Sequence, residues 1–190
     1  VVAFLLVSRV NMGLARYDMA REYIGTMYRE SRELIQNACI LSNTSTSEAS
    51  KQWRHEVAYR TLILLRTVMA VIDYPTDAIA PWDIPELNGV EKTDVKNNIF
   101  LPSSNNRRWA HGERTTVWDE TMRVPIRLAY LLRKSIHSQT SRLSDPVALA
   151  QENILLGRVD SFMGGYYGIH KFLTTVRSFL ILQVNMSMLT

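Results

Sequence analysis

VVAFLLVSRVNMGLARYDMAREYIGTMYRESRELIQNACIL, residues 1–41, is the stretch on which the fold turns. Val1–Val7 are all apolar, and from Ser8 onward the same run carries Arg9, Arg16, Asp18, Arg21, Glu22, Arg29, Glu30, Arg32 and Glu33. Leu6, Val10, Leu14, Tyr17, Ile24, Met27, Tyr28, Leu34 and Ile35 recur at roughly helical spacing. There is no proline, and Gly13 is the only break risk before Tyr23. The pattern predicts one long helix over 1–41 that starts fit for lipid or a tight core and continues highly charged. Such a helix crosses between two environments.

The polar cluster SNTSTS at Ser42–Ser47 ends that helix, and Ser45 with Glu48 fits a capping box opening a second one. This second helix, 46–73, carries an apolar stripe of Val57, Thr61, Leu64, Leu65, Val68, Val71 and Ile72. Arg54, Arg60 and Arg66 lie off its centre, and Pro75 stops it. Residues 74–116, with Pro81, Pro85, Gly89 and Pro102, read as mostly loop with room for one short helix. Trp82 and Trp109 are expected to anchor this segment to a surface. A third helix is predicted over 117–142, perturbed by Pro125.

Ser144-Asp145-Pro146 reads as a restart, an Asp cap with proline at the first helical position. The fourth helix, 146–173, would place Val147, Leu149, Ile154, Leu155, Val159 and Phe162 on one side. Gly164, Gly165 and Gly168 would let its backbone approach a neighbour. Residues 177–190 begin a further apolar helix fit to open a membrane segment. The apolar runs Val1–Val7 and Phe179–Leu189 are each about half of the roughly 20 residues a membrane helix needs. Together with the first residue being Val, they suggest a piece of a longer protein. No strand-like alternation is present, so the fold class is all-α.

At 190 residues the chain suits one domain, and 46% hydrophobic with 21% charged residues excludes disorder as its main state. The net charge of +4 is spread among interspersed acids and bases, which describes solvated or salt-bridged helix faces and no nucleic-acid tract. The single cysteine, Cys39, reads as a small buried hydrophobe. His55, His111, His137 and His170 lie in separate segments and read as structural or exposed. No phosphate-cradling glycine loop, zinc-type His-Glu-x-x-His or nucleophile elbow occurs. Asp18 and Glu22 share a helix face beside Arg16, Arg21 and Arg29, an arrangement suited to salt bridging over acid–base catalysis. No catalytic residue, metal ligand or cofactor is expected, and the reading rests on a channel or an interaction scaffold.

Leu5–Arg21, LLVSRVNMGLARYDMAR, resembles the pore helix of the bestrophin family of anion channels, which runs from an apolar neck into F-R-x-N-x-x-Y-x-R-[FWY]-x-x-A-R. Arg9, Asn11, Arg16 with Tyr17, and Ala20 with Arg21 match; Leu14 replaces the tyrosine, and Ser8 stands where an aromatic normally precedes the first arginine. Asp160–Thr175, DSFMGGYYGIHKFLTT, is similar to the segment before the family's Thr-Pro-x-Pro turn, above all in algal-type members. WRHEVAYRTLILLR in the second helix and Arg123–Pro125 fit the family's cytoplasmic helices more loosely. Two departures stand out. Val176-Arg177-Ser178-Phe179 follows Thr175 directly where prolines and a linker are expected, and the family's first and later membrane helices and acidic calcium-clasp segment are missing.

The resemblance implies a partial bestrophin-like domain over 1–190, a subunit of a homopentamer that passes chloride or bicarbonate through an axial pore. Phe4 and Ser8 would line the neck, where apolar side chains gate by dewetting. Serine at that ring implies a wider, wetter neck. Arg9 and Arg16 would either supply an anion-attracting field or pair with Asp18 and Glu22 of a neighbouring subunit. Asn11 would hydrogen-bond backbone or a hydrated anion. The partners implied are further copies of the chain, the anion and membrane lipid, with no nucleic acid. The location implied is a multi-pass membrane, thylakoid in a photosynthetic protist and otherwise plasma membrane. The alternatives are a soluble helical interaction module and a truncated, non-conducting family member.

Overall fold

The computed structural model describes residues 2–73, 79–99 and 117–187, with side chains over 7–8, 10–73, 79–99 and 121–172. Among these residues all regular structure is helical. In chain order the helices are α1 (Val2–Leu41), α2 (Glu48–Asp73), α3 (Gly89–Ile99), α4 (Val117–His137), α5 (Gln139–Arg142) and α6 (Leu149–Ser187). They form two compact units, one of Ser31–Val159 and one of Val1–Glu30 with Asp160–Thr190. No helix among the described residues is long and apolar enough to cross a membrane.

In the larger unit, α2 turns Val57, Thr61, Leu64, Val68 and Val71 inward, while Leu65 and Ile72 reach its edge. α4 answers with Val124, Leu128, Leu132 and Ile136, four residues apart along one face and all buried. The Trp53 indole is fully enclosed and donates from Nε1 to the Ser135 carbonyl at 2.8 Å, tying α2 to α4. Pro125 is buried inside α4 and removes one rung of its ladder without ending it. α3 occupies part of the stretch read as loop, with Val95 and Ile99 buried and Trp82 half-buried just before it. Pro75, Pro102, Trp109 and His111 lie outside the described residues.

Several local expectations are corrected. α2 is capped by Ser47, whose hydroxyl accepts from the Ser50 amide at 3.2 Å. Ser45 instead meets the Ser144 hydroxyl at 3.0 Å and accepts from the Asp145 amide at 3.3 Å, so the Ser45–Glu48 capping box does not form. Asp145 is drawn into the same loop–loop seam, and α6 starts three residues beyond Pro146, where the Ala148 carbonyl accepts from Glu152 at 2.9 Å. The third helix ends at His137 and a separate short turn, α5, follows. α6 then runs unbroken through the join expected between 173 and 177. Its buried line is Leu155, Val159, Phe162, Tyr166 and Ile169, whereas Leu149 and Ile154 are exposed. Cys39 is exposed too, because the α1 face carrying Leu34 and Ala38 points into the core.

The smaller unit is knit by glycines. A Cβ built on Gly168 would lie 2.4 Å from Tyr23 Cε1, and one on Gly165 would lie 3.0 Å from Met27 Cγ and 3.2 Å from the Tyr23 carbonyl. α1 and α6 therefore meet there at a distance where a side chain at 168 would collide with the Tyr23 ring and one at 165 would crowd Met27 and the Tyr23 carbonyl, while Gly164 faces open space.

Gly168→Ala gains helix propensity of about 1 kcal/mol but should still lower stability by about 1–3 kcal/mol, because the Tyr23 ring must be displaced. Adding Tyr23→Ala should remove most of that penalty in a double-mutant cycle read by chemical denaturation. An additive cycle would show that the two residues do not meet. In the larger unit, Trp53→Ala should cost about 3–5 kcal/mol by the same measurement.

Candidate functional site

The residues singled out from sequence lie on the N-terminal half of α1. Ser8 and Arg16 are half-buried and Asn11 is exposed; Phe4 and Arg9 are on the same helix, but their side chains lie outside the described ones. Ser8 and Asn11 are three apart and share a face. Around them Val7, Val10, Leu14 and Tyr17 are exposed, Tyr17 by 65%. These four follow a three-four-three spacing, the repeat with which helices pack side by side about a common axis. Arg21, Asp18 and Glu22 are exposed among them, so this part of α1 presents both signs of charge and large apolar side chains together. Farther along, Arg29 reaches Glu30 at 3.7 Å.

The larger unit carries the strongest electrostatics. Glu56 on α2 accepts from the Ser135 hydroxyl at 2.8 Å and from Arg142, and pairs with Arg60 at 2.9 Å. Burial pushes its carboxyl up, but the Ser135 hydroxyl and the Arg142 and Arg60 guanidiniums outweigh it, leaving Glu56 below the usual carboxylate range. Arg127 on α4 binds Asp94 on α3 through two nitrogens, at 2.8 and 2.7 Å. That fork holds Asp94 below its ordinary value and raises Arg127. Arg54 satisfies the end of α1 by donating to the carbonyls of Ser42 at 2.8 Å and Ser45 at 3.0 Å. Glu33 on α1 pairs with Arg158 on α6 at 2.7 Å.

A third cluster joins α4, α5 and the start of α6. The Gln139 amide accepts from the Val147 N–H at 2.8 Å and donates to the Val147 carbonyl at 3.3 Å, copying a backbone pair. Its nitrogen also lies 3.4 Å from Glu152, whose other oxygen is 2.5 Å from His137 Nδ1. Sequence reasoning missed Glu56, Gln139 and Glu152; Arg60 lies one turn from Glu56, but the other partners come from 8 to 86 residues away, where no local spacing marks them. Of the histidines, His55 and His137 are exposed and His170 is half-buried, its ring 6.4 Å from that of Tyr166. Among the described residues no group of His, Cys, Asp and Glu is placed to hold a metal ion. In comparisons with known proteins, no family model, no curated protein and no solved structure matches the chain.

The depressed carboxyls set a pH dependence with a definite sign. A lowered folded-state pKa contributes stability that is fully present above the unfolded value, about 4, and is lost as pH falls through the folded value. Glu56→Gln should therefore cost about 1–3 kcal/mol at pH 7. The gap from the unaltered chain should shrink as both are taken below pH 4, read as urea midpoints across the pH series. A gap that stays constant into acid would show that the charge of Glu56 contributes nothing.

Proposed function

We propose that the chain is part of a homo-oligomeric, bestrophin-type anion-channel subunit in which copies of α1 assemble about a shared axis and carry chloride or bicarbonate. What supports this is the stretch from Val7 to Tyr17 on α1. It is helical, and it leaves Val7, Val10, Leu14 and Tyr17 exposed in the single chain, between 54% and 65%. Burying one such side chain is worth about 1.5–3 kcal/mol, and their three-four-three spacing suits neighbouring copies of the same helix. The alternation of Arg16, Asp18, Arg21 and Glu22 makes the surface complementary to itself. The motif around Arg9 and Asn11 gives the reading its anion. Ser8 and Asn11 would supply polar groups on the face beside the seam, with Phe4 above them, and Arg16 a positive field. The reading is non-enzymatic, needs no cofactor and places the protein in a membrane.

A helical interaction module without a pore is the second reading. The observation favouring it is the larger unit, whose core of Trp53, Leu64, Leu128 and Leu132 is closed by residues of its own.

Full-length protein in detergent should have the native mass of a pentamer, and proteoliposomes made from it should release chloride. Leu14→Asp should dissociate the assembly, and Ser8→Phe should lower open probability in single-channel recordings. A monomer without flux would remove the channel and leave the module.

A further inference from the structure

Past its first turn, α4 presents an outer face of basic and large apolar side chains. From Thr121 to Ser144 the sequence has no Asp or Glu, yet it carries Arg123, Arg127, Arg133, Lys134 and Arg142. Asp119 and Glu120 precede this stretch in the first turn of α4. With Val124, Leu128, Leu132 and Ile136 turned into the core, Arg123, Ile126, Tyr130, Arg133 and Lys134 are exposed. Together with Arg127 they recur at three- and four-residue steps and form one stripe about 16 Å long at 1.5 Å per residue.

The centre of the stripe is held in place. Asp94 grips Arg127 through two hydrogen bonds of 2.8 and 2.7 Å, and the Arg127 guanidinium carbon lies 5.1 Å from the centroid of the Tyr130 ring. A guanidinium fixed from below and stacked on an aromatic face restrains the ring while leaving it 57% exposed. Ile126, 44% exposed, stands four residues before it on the same face. An ordered tyrosine and an isoleucine on the outside, ringed by cations, form a surface whose conformational entropy is already spent before any partner arrives.

We propose that this stripe is a contact for an anionic lipid surface. Lipid phosphates offer a plane of negative charge to a helix face on which Arg123, Arg127, Arg133 and Lys134 outnumber the carboxylates of Asp94, bonded to Arg127, and Asp119, one turn before Arg123. Each Lys or Arg near such a surface adds roughly a fivefold gain in binding, from about 1 kcal/mol. Tyrosine is the residue type suited to headgroup depth, with an apolar ring and a polar tip. A stable protein partner fits less well, because it would engage about 20–30 residues on each side, whereas the stripe offers six side chains on one helix. The contact concerns α4 alone and does not depend on the pore.

The test uses the full chain with Cys39→Ser, which removes its single cysteine. A nitrobenzoxadiazole label is placed through Ile126→Cys, and a control label through Ala49→Cys at an exposed position on α2. Vesicles of phosphatidylcholine alone, or with about 30 mol% phosphatidylserine, are then added. The label at position 126 should blue-shift and brighten about threefold with the anionic vesicles only, while the control stays unchanged. Arg123→Gln with Lys134→Gln should weaken the apparent vesicle affinity by about tenfold, with an unaltered helical circular dichroism spectrum, and about 0.5 M salt should reverse the response. Silence at position 126, an equal response at position 49, or a response to an acidic peptide or RNA without one to lipid would overturn the proposal. Because the readout sits on α4, failure of anion flux would leave this result standing, and failure here would leave the channel standing.

Discussion

Glu56 occupies the point where α2, α4 and α5 converge, and the larger unit depends on its charge being met from three sides. Its side chain is three-quarters buried, and so is that of Arg60, one turn farther along α2. A carboxylate so placed, left without partners, would cost several kcal/mol. Ser135 comes from α4 and Arg142 from α5, so satisfying Glu56 fixes how both helices lie against α2. Trp53, one turn before Glu56, donates to the carbonyl of the same Ser135. The apolar face of α4 can slide along α2 with small loss, because Leu, Val and Ile are poor judges of register. The indole and the carboxylate cannot slide, and they convert a hydrophobic collapse into one alignment.

Features that repeat along the chain were legible in the sequence, and features met across space were not. The all-helical class, the extent of α1 and the buried stripe of α2 followed from apolar spacing, which is a local property. Ser45 shows where local reasoning stops. It has the right offset from Glu48 for a cap, but its hydroxyl has a better use against Ser144 and Asp145, about a hundred residues on, and Ser47 takes over the cap. The same seam explains why Asp145-Pro146 does not open α6. Leu149 and Ile154 misled because their apolar character fitted a stripe, while the buried line begins one step away at Glu152 and Leu155. Glu152 is buried because His137 and Gln139 meet it, and no sequence rule anticipates a buried glutamate whose partners lie across a loop. The glycines were half legible: Gly165 and Gly168 make the close approach expected of them and Gly164 does not. Of the sites read from the resemblance, Ser8, Asn11 and Arg16 fall on one helix, which any helical reading would give.

Charge patterning separates two kinds of surface in the same chain, and it constrains which of them can face a copy of itself. On α1 the signs alternate through Arg16, Asp18, Arg21 and Glu22, so two copies can be aligned with opposite charges facing. On α4 the exposed Arg123, Arg133 and Lys134 are all positive, whereas Asp119 and Glu120 occupy the first turn of the helix. Two copies of α4 in parallel register would set like charges against one another past that first turn. The alternating face of α1 suits a copy of itself, and the basic part of α4 suits a partner that carries negative charge. That division needs no knowledge of the pore. It follows from where the carboxylates are, and from the 24 residues between Thr121 and Ser144 in which there are none.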